Sequence, residues 1–413
     1  MRYPVWFVRL IFAAWMIPAG LNHFVTLFPQ PLGSQPLSQE LFLALFDSHL
    51  FDLVKAVELV AGIGVLLGFY LPLSLVICMP VSFCVWYWDT PLEGWHSGAS
   101  IFGTAVIVTN VLLCLAYTGT YRPMFASRAT PRLPVALAAG AAGKNLVPAG
   151  RLIFGAWMLV TGINHFIVPL YPMPAGHEPL AIQLMTGLVH SRLIDVVIAI
   201  QMVTGALILA GVFVPLALCV VMPISVCAAF WGVILDHQPL TAFLGLAAIA
   251  LNGLLMLAYI DYYQGVLQRR ALALGEARGG VMDFDTLFVN PGGRTARGPF
   301  IGALVTLLAA FAFYYFLVPG RNSQWVQLVL LFPAVVLHAR RLHDMGRSAW
   351  LLLVPAVLIV ANAWLYLYSP AASSKGMVTL AAVVVSALFI VWGLVGNSQA
   401  GANRFGSPAV SAR

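Results

Sequence analysis

The chain has 413 residues, of which 61% are apolar and only 8% charged, and its 21 basic and 14 acidic residues give a formal net charge of +7. A soluble domain carries about 25% charged residues and needs them to cover its surface, so this composition excludes a soluble globular enzyme, a disordered chain and a nucleic-acid binder. The five cysteines are scattered through apolar stretches without a C-x-x-C spacing, which predicts packing residues rather than disulfides or a zinc site.

Apolar stretches early in the chain predict four membrane-spanning helices, because about 20 apolar residues are needed to cross a bilayer. The first run is too long for the core of a cleaved signal peptide, so it is predicted to be a span. The charge-free run 59–88 is interrupted by Gly68 and Pro72, and Gly is typical of helix ends and Pro of helix starts. The three helices predicted after the first are at about 50–69, 72–88 and 100–117.

The pattern then repeats with an offset of 142–143 residues. The segment 9–24 aligns with 151–166, and 11 of these 16 positions are identical. Because the match keeps its register as far as the Leu-Ala-Tyr sequences that end at Tyr117 and Tyr259, it predicts an internal duplication. An even number of helices in each copy makes the two copies parallel, so the inverted-repeat logic of many transporters does not apply.

A third block without the repeat adds four more apolar runs. The predicted fold is therefore an all-α integral membrane protein with about twelve transmembrane helices in three four-helix bundles. The runs of the third block are at about 299–318, 324–339, 349–368 and 377–396. The predicted domains are 1–125, 149–265 and 284–406, with cytoplasmic linkers at 126–148 and 266–283.

The basic residues predict the orientation of the chain, because Lys and Arg concentrate on the cytoplasmic side of membrane proteins. With a cytoplasmic N-terminus, the twelve-helix prediction places 17 of the 21 basic residues on that side. The net charge then reports topology rather than an acidic ligand, and both termini are expected to be cytoplasmic. The expected environment is the lipid bilayer, with a membrane or peripheral protein as a further partner and no nucleic acid.

Lys55 and Glu58 are the first candidates for chemistry, since they lie three residues apart on one face of an apolar helix, with Asp52 one turn earlier. Ionisable groups inside a span usually pair with one another and mark function. The alternative is a structural ion pair near the interface, with Lys55 snorkelling. Ile198 and Gln201 occupy the equivalent positions of the second repeat, so any catalysis is expected in the first copy.

Histidines are the second candidates, since seven of the nine are predicted on the outer side near carboxylates. His23, Glu58 and His96 could build a metal or quinone site, and an imidazole can also donate a hydrogen bond to a quinone carbonyl. No metal-ligand spacing such as H-E-x-x-H occurs in the sequence, so no metal is predicted. The quinone candidates are therefore His23, His96 and His165. The alternative is that each Asn-His pair ties a helix end to loop backbone.

The turn between the second and third helices of the last block is the third candidate, since it carries more polar groups than a turn requires. Gly346 can end one helix and Ser348 can cap the next. One interpretation is a capped cytoplasmic turn with positive-inside arginines, and the other is recognition of an anion or a lipid headgroup. The residues predicted for recognition are Arg340, Arg341, His343, Asp344 and Arg347.

The first two blocks, about 1–265, resemble DoxX-type four-helix membrane proteins. The resemblance rests on an Arg-Leu start, on Gly-x-Asn-His-Phe at the end of the first helix, and on Glu58-x-x-x-Gly62 before a Gly-rich helix end. Gln201 stands where the pattern has Glu. The family takes its name from a small subunit of a thiosulfate:quinone oxidoreductase, so the resemblance implies a role beside a quinone or a dehydrogenase.

The last block, about 284–406, resembles the bacterial inner-membrane family called domain of unknown function 805. An Ala stands at position 349, where a second Gly is usual. The resemblance implies a bacterial inner (plasma) membrane and no known reaction. The motifs that carry it are Phe284-Asp285, Gly293-Arg-Thr-Ala-Arg297, Arg340-Arg-Leu-His-Asp-Met-Gly-Arg-Ser-Ala-Trp350 and Asn403-Arg-Phe-Gly406.

These observations favour a bacterial multi-pass inner-membrane protein that acts as a redox-linked subunit beside a quinone or a partner dehydrogenase. No haem pair, flavin motif or cysteine pair in the sequence supports an enzyme acting alone. One alternative is a non-catalytic envelope stress or assembly protein that binds lipid or partners. Another is a small-solute or proton-coupled permease built on Lys55 and Glu58. The substrate, the active repeat and the oligomeric state are left open.

Overall fold

A computed structural model describes residues 2–132, 141–274, 283–317, 322–369 and 373–408, and these residues are helical except for loops and one isolated bridge. The first block contains α1 (Arg2–Phe24), α2 (Pro36–Asp47), α3 (Leu50–Leu67), α4 (Leu71–Tyr87) and α5 (Gly98–Ala116). The second contains α6 (Ala141–Phe166), α7 (Pro179–His190), α8 (Leu193–Ala210), α9 (Val214–Phe230) and α10 (Pro239–Ala258). The third contains α11 (Phe284–Phe288), α12 (Arg297–Leu317), α13 (Asn322–Asp344), α14 (Leu353–Tyr368) and α15 (Lys375–Val395).

Eleven helices among the described residues are long and apolar enough to cross a membrane, so the chain is an all-α multi-pass membrane protein. The predicted twelfth span is α3, which is not among the eleven; its 18 residues include three charged side chains, Asp52, Lys55 and Glu58. The predicted linkers 126–148 and 266–283 lie partly outside the described residues, and α6 already begins within the first of them.

The two ends of the helices differ in the residues that they carry. We call the end at which His23 lies the histidine side and the end at which Arg9 lies the arginine side. His23 is in the last turn of α1, and Arg9 is near its start. Arg9 Nε donates to the carbonyl of Val65 at 2.7 Å, while His23 Nε2 lies 2.6 Å from Asp52 Oδ1. Because Val65 and Asp52 are at opposite ends of α3, the two helices run antiparallel.

The turn between α3 and α4 follows the predicted Gly and Pro signals. Gly68 has φ of 75°, a left-handed conformation that glycine adopts without a steric penalty, and it ends α3. Pro72 is in the first turn of α4. The corresponding turn of the second block has Gly211 with φ of 72° before α9. Both helix breaks thus follow from the local sequence.

Two short helices on the histidine side, α2 and α7, join the first block to the second. Each has 12 residues, which is shorter than a span needs, and each has Pro in its first turn. Nδ1 of His190 in α7 lies 2.7 Å from Glu40 Oε1 in α2, and Gln183 Nε2 donates to Asp47 Oδ2 at 2.8 Å. Neither helix is among those predicted from the sequence.

Contacts of the first block recur at matching positions of the second. The hydroxyl of Tyr121 donates to the carbonyl of Pro72 at 3.0 Å, and that of Tyr263 donates to the carbonyl of Pro215 at 2.7 Å. A backbone carbonyl has two lone pairs, so each proline carbonyl can accept the tyrosine hydroxyl in addition to a helical N–H.

The third block packs against α1 of the first block. Arg9 Nη2 forms an ion pair with Asp285 Oδ1 at 2.9 Å, and its guanidinium lies 3.7 Å from the ring centroid of Phe284. The hydroxyl of Tyr314 donates to the carbonyl of Ile11. An ion pair, a cation–π contact and a buried hydrogen bond therefore join segments that are far apart in the sequence.

The face of the second block that corresponds to this docking face of α1 is exposed. Leu10 and Ile11 are 0% and 4% exposed under the third block, whereas their counterparts Leu152 and Ile153 are 63% and 58% exposed. Arg151, the counterpart of Arg9, donates to a backbone carbonyl and has no carboxylate partner among the described residues. The third block thus covers this face in the first block but leaves the equivalent residues of the second block exposed.

Candidate functional site

Lys55 and Glu58 form a buried ion pair inside the first block. Lys55 Nζ lies 2.7 Å from Glu58 Oε2, and the residues are 9% and 2% exposed. The ammonium also lies 4.9 Å from the ring centroid of Phe51. The three-residue spacing on one helix makes the pair possible, and the aromatic face and the carboxylate compensate for the water that Lys55 loses on burial.

His23 and Asp52 form a second pair at the histidine side, 2.6 Å apart. His49 Nδ1 lies 3.0 Å from the other carboxylate oxygen of Asp52, so one carboxylate serves two imidazoles. The side chain of His23 is only 11% exposed. Three aromatic rings surround it with centroids 5.1–5.8 Å away, those of Phe24, Phe46 and Phe51. This position of the first block is closed.

The equivalent position of the second block is open. His165 Nε2 lies 2.8 Å from Asp195 Oδ1, which repeats the first-block pair. However, Val189 and Ile194 stand where the first block has Phe46 and Phe51, and both smaller side chains line an open cavity of about 830 Å³. The apolar part of its wall consists of Leu37, Phe166, Val189 and Ile194, and its polar part includes His165, Arg192 and Asp195.

The predicted combination of His23, Glu58 and His96 is not gathered into a metal site. His23 pairs with Asp52, Glu58 pairs with Lys55, and His96 is exposed in the loop after α4. Within the described part of the chain, no group of three His, Cys, Asp or Glu side chains could hold a metal ion. Of the three quinone candidates, the structure places His165 in the wall of a cavity.

The asparagine of each Asn-His pair fixes the loop that follows its helix. Asn22 Oδ1 accepts hydrogen bonds from the backbone of Leu27 at 2.9 Å and of Phe28 at 2.8 Å. Asn164 Oδ1 accepts from the backbone of Leu170 and Tyr171 in the same manner. These bonds satisfy loop donors and hold the neighbouring histidine at the helix end.

A carboxylate after the third spanning helix of the first block holds the loop before α2, and the sequence analysis missed it. Glu93 accepts hydrogen bonds from the backbone of Ser34 at 2.8 Å, from the backbone of Gln35 at 3.3 Å and from the hydroxyl of Ser38. Burial alone raises the pKa of Glu93, but these hydrogen bonds outweigh it and lower the pKa below its ordinary value. Asp236 holds the matching loop of the second block through His177.

In the third block, α13 continues as a helix through most of the predicted polar turn and ends at Asp344. Gly346 then adopts φ of 73°, and the hydroxyl of Ser348 accepts from the backbone of Trp350 at 3.4 Å. Because the helix continues, Arg341 and Asp344 lie three residues apart on the same face, and the guanidinium of Arg341 can reach the carboxylate of Asp344.

Arg294, Arg341 and Asp344 form a buried cluster at the end of α13. Asp344 Oδ1 lies 3.1 Å from Arg294 Nε and Oδ2 lies 2.6 Å from Arg341 Nη1, and all three side chains are 1% exposed. The remaining guanidinium donors bind the carbonyl of Gly393 in the last turn of α15 and those of Gly396 and Gly401 in the segment after it. The cluster therefore binds the C-terminal segment of the described chain to α13.

The other predicted recognition residues divide into inward and outward side chains. Arg340 is 7% exposed and donates to Thr295 and to backbone carbonyls of the preceding loop. His343 stacks on Phe405 with ring centroids 3.9 Å apart and an interplanar angle of 9°. Arg347 alone among the five is exposed. An external anion would have to displace a protein acceptor at Arg340 or Arg341, but not at Arg347.

Comparison with known proteins finds a similarity to one family, and it covers the last block only. Residues 288–407 match the family described as protein of unknown function (DUF805). No curated protein and no solved structure matches the chain. The match confirms the predicted resemblance of the last block, and the DUF805-like segment contains the whole Arg294–Arg341–Asp344 cluster. The resemblance of the first two blocks to DoxX-type proteins stays a prediction.

Proposed function

We propose that the protein is a redox-linked subunit of a bacterial inner membrane and that its second block binds a quinone headgroup beside His165. The cavity of about 830 Å³ carries this proposal, because the equivalent space in the first block is filled by aromatic rings. Ligand cavities combine a mostly apolar wall with a few polar groups, and Phe166, Val189 and Ile194 beside His165 meet that description.

The His165–Asp195 pair supplies the polar chemistry. A protonated imidazole donates through both ring nitrogens, so one can bond Asp195 while the other bonds a quinone carbonyl. The carboxylate of Asp195 orients the ring. The electrons for quinone reduction would come from a partner dehydrogenase, and the protein would contribute headgroup binding and a proton at His165.

The proposal is tested by filling the cavity in the way the first block fills it. The full-length protein, purified into lipid nanodiscs, is titrated with a short-chain ubiquinone analogue, with quenching of tryptophan fluorescence as the readout. The double substitution Val189→Phe and Ile194→Phe should weaken binding at least about tenfold, or about 1.4 kcal/mol, and His165→Ala should do the same. His23→Ala is the matched control in the closed position and should leave binding unchanged.

Unchanged binding in the filled variant would contradict the cavity assignment. No detectable binding by well-folded native protein would contradict the quinone proposal as a whole.

A second function, contact with lipid headgroups by the DUF805-like segment, is supported by two exposed side chains. Arg347 is exposed beside Trp350, which is 77% exposed, and this pair of residue types is typical of a membrane interface. Retention of anionic lipid measured by native mass spectrometry should decrease in Arg347→Ala. An Arg340→Lys variant, changed inside the protein, should retain as much lipid as the native chain.

We also infer that the first two blocks are copies of one unit and that the arginine side faces the cytoplasm. The matching Tyr–Pro, Asn–loop and His–Asp contacts support the first inference. The bias of basic residues supports the second. Reporter fusions after Ser127 and after Trp95 should be active in the cytoplasm and in the periplasm respectively, and the reverse result would contradict the orientation.

A further inference from the structure

The interior of the first block contains three ionisable side chains that the second block lacks. They are Lys55 and Glu58 of α3 and Asp89, which lies in the π-helical turn Trp88–Leu92 after α4. The corresponding residues of the second block are Ile198, Gln201 and Gly232. At each of these three positions the first block has an ionisable side chain and the second block has none, so these three charges belong to the first block alone.

Asp89 is enclosed by its neighbours. It is 7% exposed, and its carboxylate accepts no hydrogen bond from the residues that the structure describes. A methyl group at Gly103 of α5 would lie 2.6 Å from Asp89 Cβ, so the glycine lets α5 close over the aspartate. Thr90, the next residue, has a buried hydroxyl that also lacks a hydrogen-bond partner in the described structure. π-Helical turns are frequent at functional sites.

The charges inside the block do not balance. The positive charge of Lys55 and the negative charge of Glu93 both act on Asp89, but the ammonium of Lys55 is already bonded to Glu58. The thiol of Cys78, from α4, is a further titratable group close to Glu58 of this ion pair. Two carboxylates and one ammonium leave a net charge of −1 inside the bundle, and an unbalanced charge there is costly.

We propose that Lys55, Glu58 and Asp89 form a proton-binding site in the first block. Asp89 takes one proton from water: an O–H bond of hydronium breaks, an O–H bond forms on the carboxylate, and the net charge of the site rises from −1 to 0. The Lys55–Glu58 pair stays bonded and keeps the second carboxylate ionised. The site is separate from the His165 cavity, so it does not depend on the proposed quinone function.

Infrared difference spectroscopy of the full-length protein in nanodiscs tests this site directly. Spectra recorded at about pH 6 and about pH 9, where carboxylates with ordinary pKa values stay ionised, should differ by the carbonyl band of one protonated carboxyl group. Asp89→Asn should remove the band, and Asp89→Glu should shift it. Asp195→Asn, which changes an aspartate already paired with His165, is the matched control and should leave the band in place.

A second variant keeps the proposal testable if Asp89→Asn does not fold. Lys55→Met leaves Glu58 without its cation, so a second carboxyl should protonate and the band should roughly double in amplitude. Size-exclusion chromatography reports folding for each variant. A band unchanged by Asp89→Asn, or no band in the native protein, would overturn the proposal. A band abolished by sodium but not by choline at constant pH would show a metal-cation site instead and would also overturn it.

Discussion

The carboxylate of Asp344 is expected to be the most important single side chain for the stability of the last block. It is bonded to Arg294 at 3.1 Å and to Arg341 at 2.6 Å, and all three side chains are 1% exposed. Asp344→Ala would leave two buried guanidinium groups without their counter-charge. Breaking a buried pair by removing one partner costs about 3–5 kcal/mol, because the remaining charge is not compensated.

A matched control is available on the same side of the protein. Arg132 and Asp261 form an ion pair at 3.3 Å, but their side chains are 78% and 39% exposed. Exposed pairs contribute about 0–1 kcal/mol, so Asp261→Ala should have almost no effect. Asp344→Asn keeps the shape and an acceptor oxygen but loses the charge, and its effect should lie between the two alanine variants.

The assay is denaturant unfolding of the full-length protein in detergent, followed by tryptophan fluorescence, with the free energy of unfolding obtained from the midpoint and slope. Limited proteolysis should also cut the segment after α15 faster in Asp344→Ala, because the cluster binds that segment. Equal free energies for Asp344→Ala and Asp261→Ala would refute the reasoning that burial sets the value of these pairs.

Three further predictions follow from contacts between elements. Asp285→Ala should lower the free energy of unfolding by about 1–3 kcal/mol in the same assay, because it leaves the buried guanidinium of Arg9 without its carboxylate; an unchanged value would show that the blocks dock without this pair. Gly103→Ala should destabilise the protein by about 1–3 kcal/mol, since its methyl group would overlap Asp89, whereas Gly376→Ala, which has open space, should not. Because the folded pKa of Glu93 is below its ordinary value of 4.5, its stabilisation is complete above that pH and is lost as pH falls through the folded pKa. Thermal unfolding between neutral and acid pH should therefore depend less on pH in Glu93→Gln, and an identical dependence would contradict the role given to its hydrogen bonds.

Sequence patterns predicted the spanning helices well because membrane helices are specified mainly by a local property, the length of an apolar run. Gly68 and Pro72 also located a helix break to within a few residues. The helices α2 and α7 escaped prediction because they are too short to span, and tertiary contacts hold them, including hydrogen bonds between the two. Pro36 and Pro179 at their starts were the available signal.

The candidate sites were predictable only in part. The three-residue spacing indicated that Lys55 and Glu58 lie on one helix face, and the aligned Asn-His pairs singled out His23 and His165. The cavity beside His165 depends on what fills a space between helices, and that was not evident from either histidine. Two phenylalanines in one block and Val189 and Ile194 in the other were a sequence signal that gains meaning only once the contacts are known.

Asp89 was not among the candidates drawn from the sequence, because it directly follows the helix predicted at about 72–88. The helix instead continues as a π-helical turn, and Gly103 allows close packing over it. Burial of a residue near a helix end is decided by tertiary contacts, which sequence position alone does not report.

The ion pair between Arg9 and Asp285 links residues 276 positions apart, and this has a consequence for biosynthesis. At about 5–20 residues per second, the ribosome needs about 15–55 s to reach the partner of Arg9. Throughout that time the first helix is in the membrane with its docking face open, while the second block can already close on itself. The first helix to be synthesised is therefore among the last to acquire all of its packing contacts. A factor that shields Arg9 during synthesis would act in that interval.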